Sequence, residues 1–402
     1  MKDQTKILLT ENIHPIASEM LREEGYEVTQ ITHAPGEDEL VRLLPQFHLV
    51  GIRSKTHLTQ KALESSKKLM CVGCFCIGTN QVDLSAARRQ GVPVFNAPHS
   101  NTRSVAELVL AEMIMLSRQL GDRNTLAHGG SWLKTAEGAH EVRGKTLGII
   151  GYGHIGSQLS VLAESLGLRV LFYDVVKKLP LGNAKPMGSM KDLLAQSDFV
   201  SLHVPETNQT KKMISMDQLR VMKKGGFLVN ASRGTVIEID DLVQVLKENH
   251  LAGAALDVFP EEPASTKDCF VSPLQKMRNV ILTPHIGGST EEAQYAIGVE
   301  VAESFRRYLQ VGTTTGSVNF PVVELPKRGQ STRILNVHRN EPGVLGEINS
   351  LVSKAGLNIQ AQYLSTDNEI GYMVMDLEDL KNEALVDSIQ NLSRSLRTRK
   401  LG

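Results

Sequence analysis

The sequence predicts an α/β protein of more than one domain with a small α+β module at its carboxyl end, on three observations. Short apolar runs alternate with helix-like stretches through the first 96 residues and again from residue 145 to about 284. A glycine-rich turn follows one apolar run of the second series, and after Pro326 the alternation changes character. At 402 residues the chain is also too long for one ordinary core.

Apolar runs at residues 7–9, 28–31, 49–52, 70–74 and 92–95 predict a first parallel sheet. One long helix over about 104–128, apolar at Val105, Leu108, Val109, Met113 and Leu116, reads as a bridge to a second domain. Strands at 147–150, 169–173, 199–203, 226–230, 253–258 and 280–283 make a six-strand Rossmann count. A second long helix, 291–311, carries the chain back. The expected division is a discontinuous, flavodoxin-like substrate domain (1–101 and 288–329) with a Rossmann-type dinucleotide-binding domain (102–287) inserted in it. A Pro-bracketed stretch from 326 to 330 reads as a linker. Residues 330–402 follow as strand (334–337), helix (344–355), strand (357–364), strand (371–377), helix (383–392) and a short strand near Leu396, the ferredoxin-like order.

Lys plus Arg equals Asp plus Glu at 44 each, so no net field draws the chain to nucleic acid or anionic lipid. No apolar run reaches membrane-spanning length, and the amino end enters a strand without a secretory segment. Cys71, Cys74 and Cys76 are crowded, but the second half of a zinc site is missing and their stretch is apolar, so buried reduced thiols and no metal are expected. A cytoplasmic location follows.

The turn Gly151-Tyr-Gly153-His154-Ile155-Gly156 stands behind the run 147–150, a helix-like stretch follows it, and Asp174 closes the next run, 18 positions past the last glycine. A dinucleotide needs that order: a tight turn admitting backbone N–H groups to a pyrophosphate, then a carboxylate for a ribose diol. An acid there favours NAD over NADP, whose 2′-phosphate would face like charge. Hydride transfer further needs a base, a cation for the substrate and a group to tune the base. Arg233, in Asn230-Ala231-Ser232-Arg233, the carboxylates Glu261 and Glu262 in the stretch 257–263 that begins at Asp257, and His285, in Thr283-Pro-His285-Ile-Gly287, each follow the carboxyl end of a different predicted strand, the edge where such sheets bind ligands.

Together the motifs GYGHIG, NASRGT, DVFPEEP and TPHIGGST resemble the D-isomer-specific 2-hydroxyacid dehydrogenases. The stretches 53–59, 73–83 and 95–107 narrow the resemblance to the bacterial, allosteric branch that acts on 3-phosphoglycerate and ends in an ACT domain. The resemblance implies Arg233, Glu262 and His285 as the catalytic set, the glutamate being the one directly before the proline. It implies Gly151, Gly153, His154, Ile155 and Gly156 at the pyrophosphate, Asp174 at the ribose, and Ala231, Ser232, Asp257 and Gly287 with Arg233 and His285 on the nicotinamide side of bound NAD. Arg53, Ser54 and Lys55, with Ile77, Gly78, Asn101 and Arg233, are the implied substrate contacts. Lys55 stands where an arginine is usual, which keeps the charge and loses a bidentate fork. His338, Asn340 and, from a neighbouring chain, Asn358 are implied to hold L-serine as effector between paired ACT modules. Arg339 stands where an acid or neutral residue is usual. A homotetramer with ACT and nucleotide-domain contacts is implied, and Trp132 is read either as a subunit contact or as core packing.

The function expected is reversible NAD-dependent oxidation of 3-phospho-D-glycerate to 3-phosphooxypyruvate, opening phosphorylated serine biosynthesis under serine feedback. Two rivals stand beside it: reduction of 2-oxoglutarate to 2-hydroxyglutarate, and a non-catalytic NAD(H) and amino-acid sensor. The proton-shuttling set argues against the sensor, which needs no base.

Overall fold

A computed structural model describes residues 5–263, 268–326, 331–378 and 383–401. The chain divides into two compact units, one of Met1–Ser100 with Gln294–Gly402 and one of Asn101–Ala293.

In the first unit β1 (Lys6–Leu9), β2 (Glu27–Gln30), β3 (Leu49–Ile52), β4 (Cys71–Cys74) and β5 (Val94–Asn96) form a parallel sheet in the order β2-β1-β3-β4-β5. This is the flavodoxin-like doubly wound order. Both faces of β3 and β4 are buried, which is why their sequences run apolar without alternation. Leu8, Val50 and Val72 pack on one face; Ile7, Leu49 and Cys71 pack on the other with Ile297, Val301 and Phe305 of the helix Glu291–Gln310. That helix lies so close that a Cβ at Gly73 would meet Phe305 and Val301 at 2.6 Å. Cys71 and Cys74 are buried free thiols in β4.

The second unit holds β6 (Thr146–Ile150), β7 (Arg169–Tyr173), β8 (Lys185–Pro186), β9 (Phe199–Leu202), β10 (Gly226–Asn230), β11 (Leu251–Leu256) and β12 (Val280–Leu282), all parallel, in the order β12-β11-β10-β9-β6-β7-β8. Strand order reverses between β6 and β9, the switch point where such sheets bind ligands. Six strands were legible; β8 was not, because its two residues are exposed and carry no apolar run. The single helix expected over 104–128 is two helices, Thr102–Arg118 and Leu120–His128. Gln119 breaks it by taking a left-handed φ of 52°, from which its N–H caps Leu116 and Met115 carbonyls. The second helix buries no residue, so nothing in the core holds the two in line.

At the carboxyl end β13 (Thr332–Arg339), β14 (Ile359–Thr366), β15 (Ile370–Leu377) and β16 (Ser395–Leu401) form an antiparallel sheet in the order β14-β15-β13-β16. The helices Val344–Lys354 and Ala384–Gln390 cover one face through Ile348, Val352 and Ile389; Phe320, Val323 and Leu325 cover the other. The central strands β13 and β15 are therefore buried on both sides. Arg333, fully buried, forks onto Asp376 at 2.6 and 2.7 Å and donates to the Val311 carbonyl at 2.9 Å. Arg399 donates to the Tyr308 carbonyl at 2.8 Å and lies 4.5 Å from that ring's centre. Of the expected linker, residues 327–330 lie outside the described residues. Among the described residues no helix is long and apolar enough to cross a membrane.

Candidate active site

The five buried residues of β6 deliver the chain to Gly151, whose φ is +92°. A Cβ there would lie 2.5 Å from the His203 carbonyl oxygen at the switch point, so only glycine fits. At Gly156 a Cβ would sit 2.3 Å from the Gly151 carbonyl, which lets the helix His154–Ser165 start hard against the turn. Gly153 caps that helix and faces open space, with no atom within 4 Å of where its Cβ would be. Gly153 thus puts no side chain over the start of the helix that carries His154 and Ile155, and the N–H groups of a helix's first turn suit an anion. Asp174 follows β7 directly and is fixed by two backbone donors, Tyr152 N–H and Val176 N–H, each at 2.8 Å. Bare turn, helix N-terminus and fixed carboxylate together fit a dinucleotide.

Three loops meet at the carboxyl ends of β10, β11 and β12. Asn230, with no exposed surface, ends β10; its Oδ1 accepts from Ser232 N–H at 3.0 Å and Ser232 Oγ at 2.7 Å, and its Nδ2 donates to the Arg233 carbonyl at 3.0 Å. This clamp sets the turn that presents Ala231, Ser232 and Arg233. Gly234 then passes so near the next loop that a Cβ would meet the Phe259 carbonyl carbon at 1.9 Å. In that loop Asp257 is buried and accepts from Thr283 Oγ1 at 2.7 Å and from the N–H groups of Ile286 and Gly287 at 2.8 Å each. Asp257 therefore braces the loop that carries His285. The brace holds His285 at a left-handed φ of 54°, a conformation side chains other than glycine rarely adopt.

His285 Nδ1 donates to Glu262 Oε2 at 2.8 Å, and Phe259 N–H donates to Glu262 Oε1 at 3.1 Å. With Nδ1 committed, Nε2 is the nitrogen able to take a proton. The Glu262 hydrogen bond raises the imidazole pKa above its ordinary 6.5, against burial and the Arg233 charge, which lower it. Burial opposes the Glu262 charge, but the His285 and Phe259 hydrogen bonds outweigh it and hold the carboxyl below the usual range. Arg233 acts on both partners electrostatically while its Nη1 donates to the Ser232 carbonyl at 2.6 Å. Guanidinium, imidazole and carboxylate from three loops are thus brought together: a proton acceptor, a group that steadies its charged form, and a cation for an anionic ligand.

In the other unit, Glu11 at φ 58° is buried and its carboxylate accepts from the backbone N–H groups of Arg53, Lys55 and Thr56 at 2.9, 3.0 and 2.8 Å. It shapes the turn that leaves Ser54 and Lys55 exposed. Gln81 Nε2 donates to the Arg53 carbonyl at 2.9 Å and the Gly78 carbonyl at 3.2 Å, while Asn96 Nδ2 donates to the Ile77 carbonyl at 2.6 Å. The turns at 53–55 and 77–78 are joined by one side chain.

The D-isomer-specific 2-hydroxyacid dehydrogenase NAD-binding domain model matches residues 110–287. The D-3-phosphoglycerate dehydrogenase of Haemophilus influenzae is 52% identical over 401 residues, spanning 100% of this chain and 98% of that protein. The Escherichia coli K12 enzyme of the same name is 51% identical over 404 residues, with the same coverage. This chain belongs to the D-3-phosphoglycerate dehydrogenase family. Among solved structures, the D-lactate dehydrogenase of Aquifex aeolicus complexed with NAD and lactic acid matches with a TM-score of 0.68 at 26% identity, over 78% of this chain and 99% of that one. In this member of the D-3-phosphoglycerate dehydrogenase family the Rossmann-type domain binds NAD, and residues 334–395 match an ACT domain model, that of the AHAS small subunit-like type.

In the ACT module of this D-3-phosphoglycerate dehydrogenase family member, His338 is buried near the end of β13, with Nδ1 2.9 Å from Asn336 Oδ1. Burial lowers its pKa, and Gly371 makes room for its ring, since a Cβ there would meet Nε2 at 2.3 Å. Asn340 follows and donates to the Asp367 carbonyl at 2.7 Å. Asn358 precedes β14 at the Leu377 end of the sheet, whereas His338 pairs with Gly371 at the other. The two lie about 20 Å apart along the strands. One chain therefore does not bring the three effector candidates together. Trp132 is 88% exposed, which excludes core packing within the chain. Sequence reasoning missed Glu11, Gln81 and the clamp made by Asn230; the signal for the last was an uncharged polar residue closing an apolar strand.

Proposed function

We propose that the chain catalyses the reversible, NAD-dependent oxidation of 3-phospho-D-glycerate to 3-phosphooxypyruvate, the opening step of phosphorylated serine biosynthesis, and that L-serine restrains it. The observation that carries the chemistry is the His285–Glu262 pair beside Arg233; the substrate is carried by the full-length relatives named for it. NAD, when bound, accepts the hydride. His285 Nε2 takes the hydroxyl proton, and Glu262 steadies the imidazolium that results. Arg233 binds the substrate carboxylate and draws charge toward the developing carbonyl.

Gly151, Gly153, His154, Ile155 and Gly156 receive the pyrophosphate, Asp174 the ribose, and Ala231, Ser232, Asp257 and Gly287 the nicotinamide side. Arg53, Ser54 and Lys55 serve the phosphate end of the substrate, and Ile77, Gly78 and Asn101 its backbone contacts. Serine is held by His338 and Asn340 with Asn358 of the partner subunit; the separation of Asn358 from His338 within one chain supports that pairing. The assembly is a homotetramer in the cytoplasm, with the exposed Trp132 in a subunit contact.

The test is an initial-rate assay with 3-phosphoglycerate and with 2-hydroxyglutarate, each with and without serine. Faster turnover of 3-phosphoglycerate, depressed by serine, is the expected result. A preference for 2-hydroxyglutarate would reassign the substrate, and NADH binding without turnover of either would make the chain a sensor.

A further inference from the structure

Glu112 sits in the middle of the helix Thr102–Arg118, on the inward face it shares with Val105, Val109, Met113 and Leu116. It is 1% exposed, and neither carboxyl oxygen has a hydrogen-bond partner. An apolar residue would serve the core better, because a buried acid without a partner costs stability that packing alone does not return. Its place relative to the site supplies a reason.

The same helix backs the loop 283–290 that carries His285. Ser104 Oγ lies 2.9 Å from Thr290 Oγ1, and a Cβ at Gly287 would meet Val105 at 3.3 Å and Leu108 at 3.7 Å. Beneath this contact is Asp257, whose carboxylate gathers Thr283 Oγ1 and the N–H groups of Ile286 and Gly287. Asp257 is the charge that bears on Glu112 and raises its pKa, while the Thr283 hydroxyl, which donates to Asp257 Oδ1 at 2.7 Å, lies near enough to act in the opposite, smaller sense.

We propose that Glu112 is a positioning residue for His285: it stands behind Asp257, and its charge state decides whether Asp257 keeps its hold on the Ile286 and Gly287 amides. Burial first, and the Asp257 charge second, push the Glu112 carboxyl up to about 8. At neutral pH it is an uncharged acid, and one negative charge holds the loop. Above that value a second negative charge forms in the same buried place, and like charges in a poorly screened interior repel. Among the described residues, the core that the other elements build around this helix is apolar. The helix His154–Ser165 faces the shared core with Leu159 and Ala163, and β10, β11 and β12 face it with Val229, Ala255 and Ile281. The Tyr152 hydroxyl in that core pairs with Ser160 Oγ at 2.8 Å, and Asp122 of the following helix accepts from Asn279 N–H at 2.8 Å.

This inference rests on His285 as the base, and the experiment separates the two. On the full-length protein, kcat/KM for 3-phosphoglycerate oxidation is measured across pH for the parent, Glu112→Gln and His285→Ala. Glutamine keeps the shape and cannot ionise, so the ratio of its kcat/KM to the parent's is expected to rise about fivefold from neutral pH to about pH 9, with a midpoint near the Glu112 pKa. A flat ratio overturns the role of Glu112, while appreciable turnover by His285→Ala overturns the base assignment instead. Should Glu112→Gln fold poorly, carboxyl carbon-13 NMR of the parent decides: Glu112 and Asp257 signals are expected to move with one shared midpoint near pH 8, and Asp257 signals indifferent to the Glu112 titration refute the coupling.

Discussion

His285 Nδ1 donates to Glu262 Oε2 at 2.8 Å, and this pair joins an imidazole to a carboxylate at the rim of the second sheet. Alcohol oxidation uses the neutral imidazole, and Glu262 raises the pKa above 6.5, so the rate is expected to rise as pH passes through that raised value. Glu262→Gln removes the raising partner. Its rising limb is expected to move to lower pH, with the plateau about tenfold lower or more because the imidazolium loses its stabiliser. Profiles of kcat/KM against pH check this, and an unmoved limb would detach Glu262 from the base.

Arg233→Lys keeps the charge and loses the planar fork. A loss of about a hundredfold in kcat/KM is expected, the scale of one or two charge-assisted hydrogen bonds, with the KM for NAD changed much less. Equal effects on both KM values would mean that Arg233 serves the coenzyme as much as the substrate.

Glu11 acts at a distance through three backbone N–H groups of the turn 53–56. Glu11→Gln substitutes a neutral amide for the acceptor, and the KM for 3-phosphoglycerate is expected to rise about tenfold at nearly constant kcat. A fall in kcat with KM unchanged would contradict a role confined to the turn 53–56.

Most of the fold was legible because the strands buried on both faces leave continuous apolar runs, as in β3, β4 and β6. The break at Gln119 was not, because its left-handed φ is a tertiary outcome that no glycine at that position announces. In the site, the residues that offer chemistry were readable from their motifs. Those that hold them in place were not: Glu11 and Gln81 act through contacts more than 20 positions away in sequence, which composition and periodicity do not report.

His338 is buried against Asn336 and fitted over Gly371. His338→Ala is expected to remove serine inhibition while the serine-free enzyme still turns over, read from dose–response curves. Inhibition identical to the parent's would move the effector elsewhere.

The Arg333–Asp376 fork is buried, so taking away one partner strands the other charge. Asp376→Ala is expected to cost about 3–5 kcal/mol of stability, seen as a fall in chemical-denaturation midpoint for the module. Replacing both residues with well-packed apolar ones is expected to recover most of that loss.

Asn358 and His338 stand at opposite ends of one four-stranded sheet. If serine needs both, a lone subunit owns two half-pockets and no whole one. Feedback then becomes a property of pairing, and the enzyme's responsiveness to its end product would fade on dilution before its catalytic rate does.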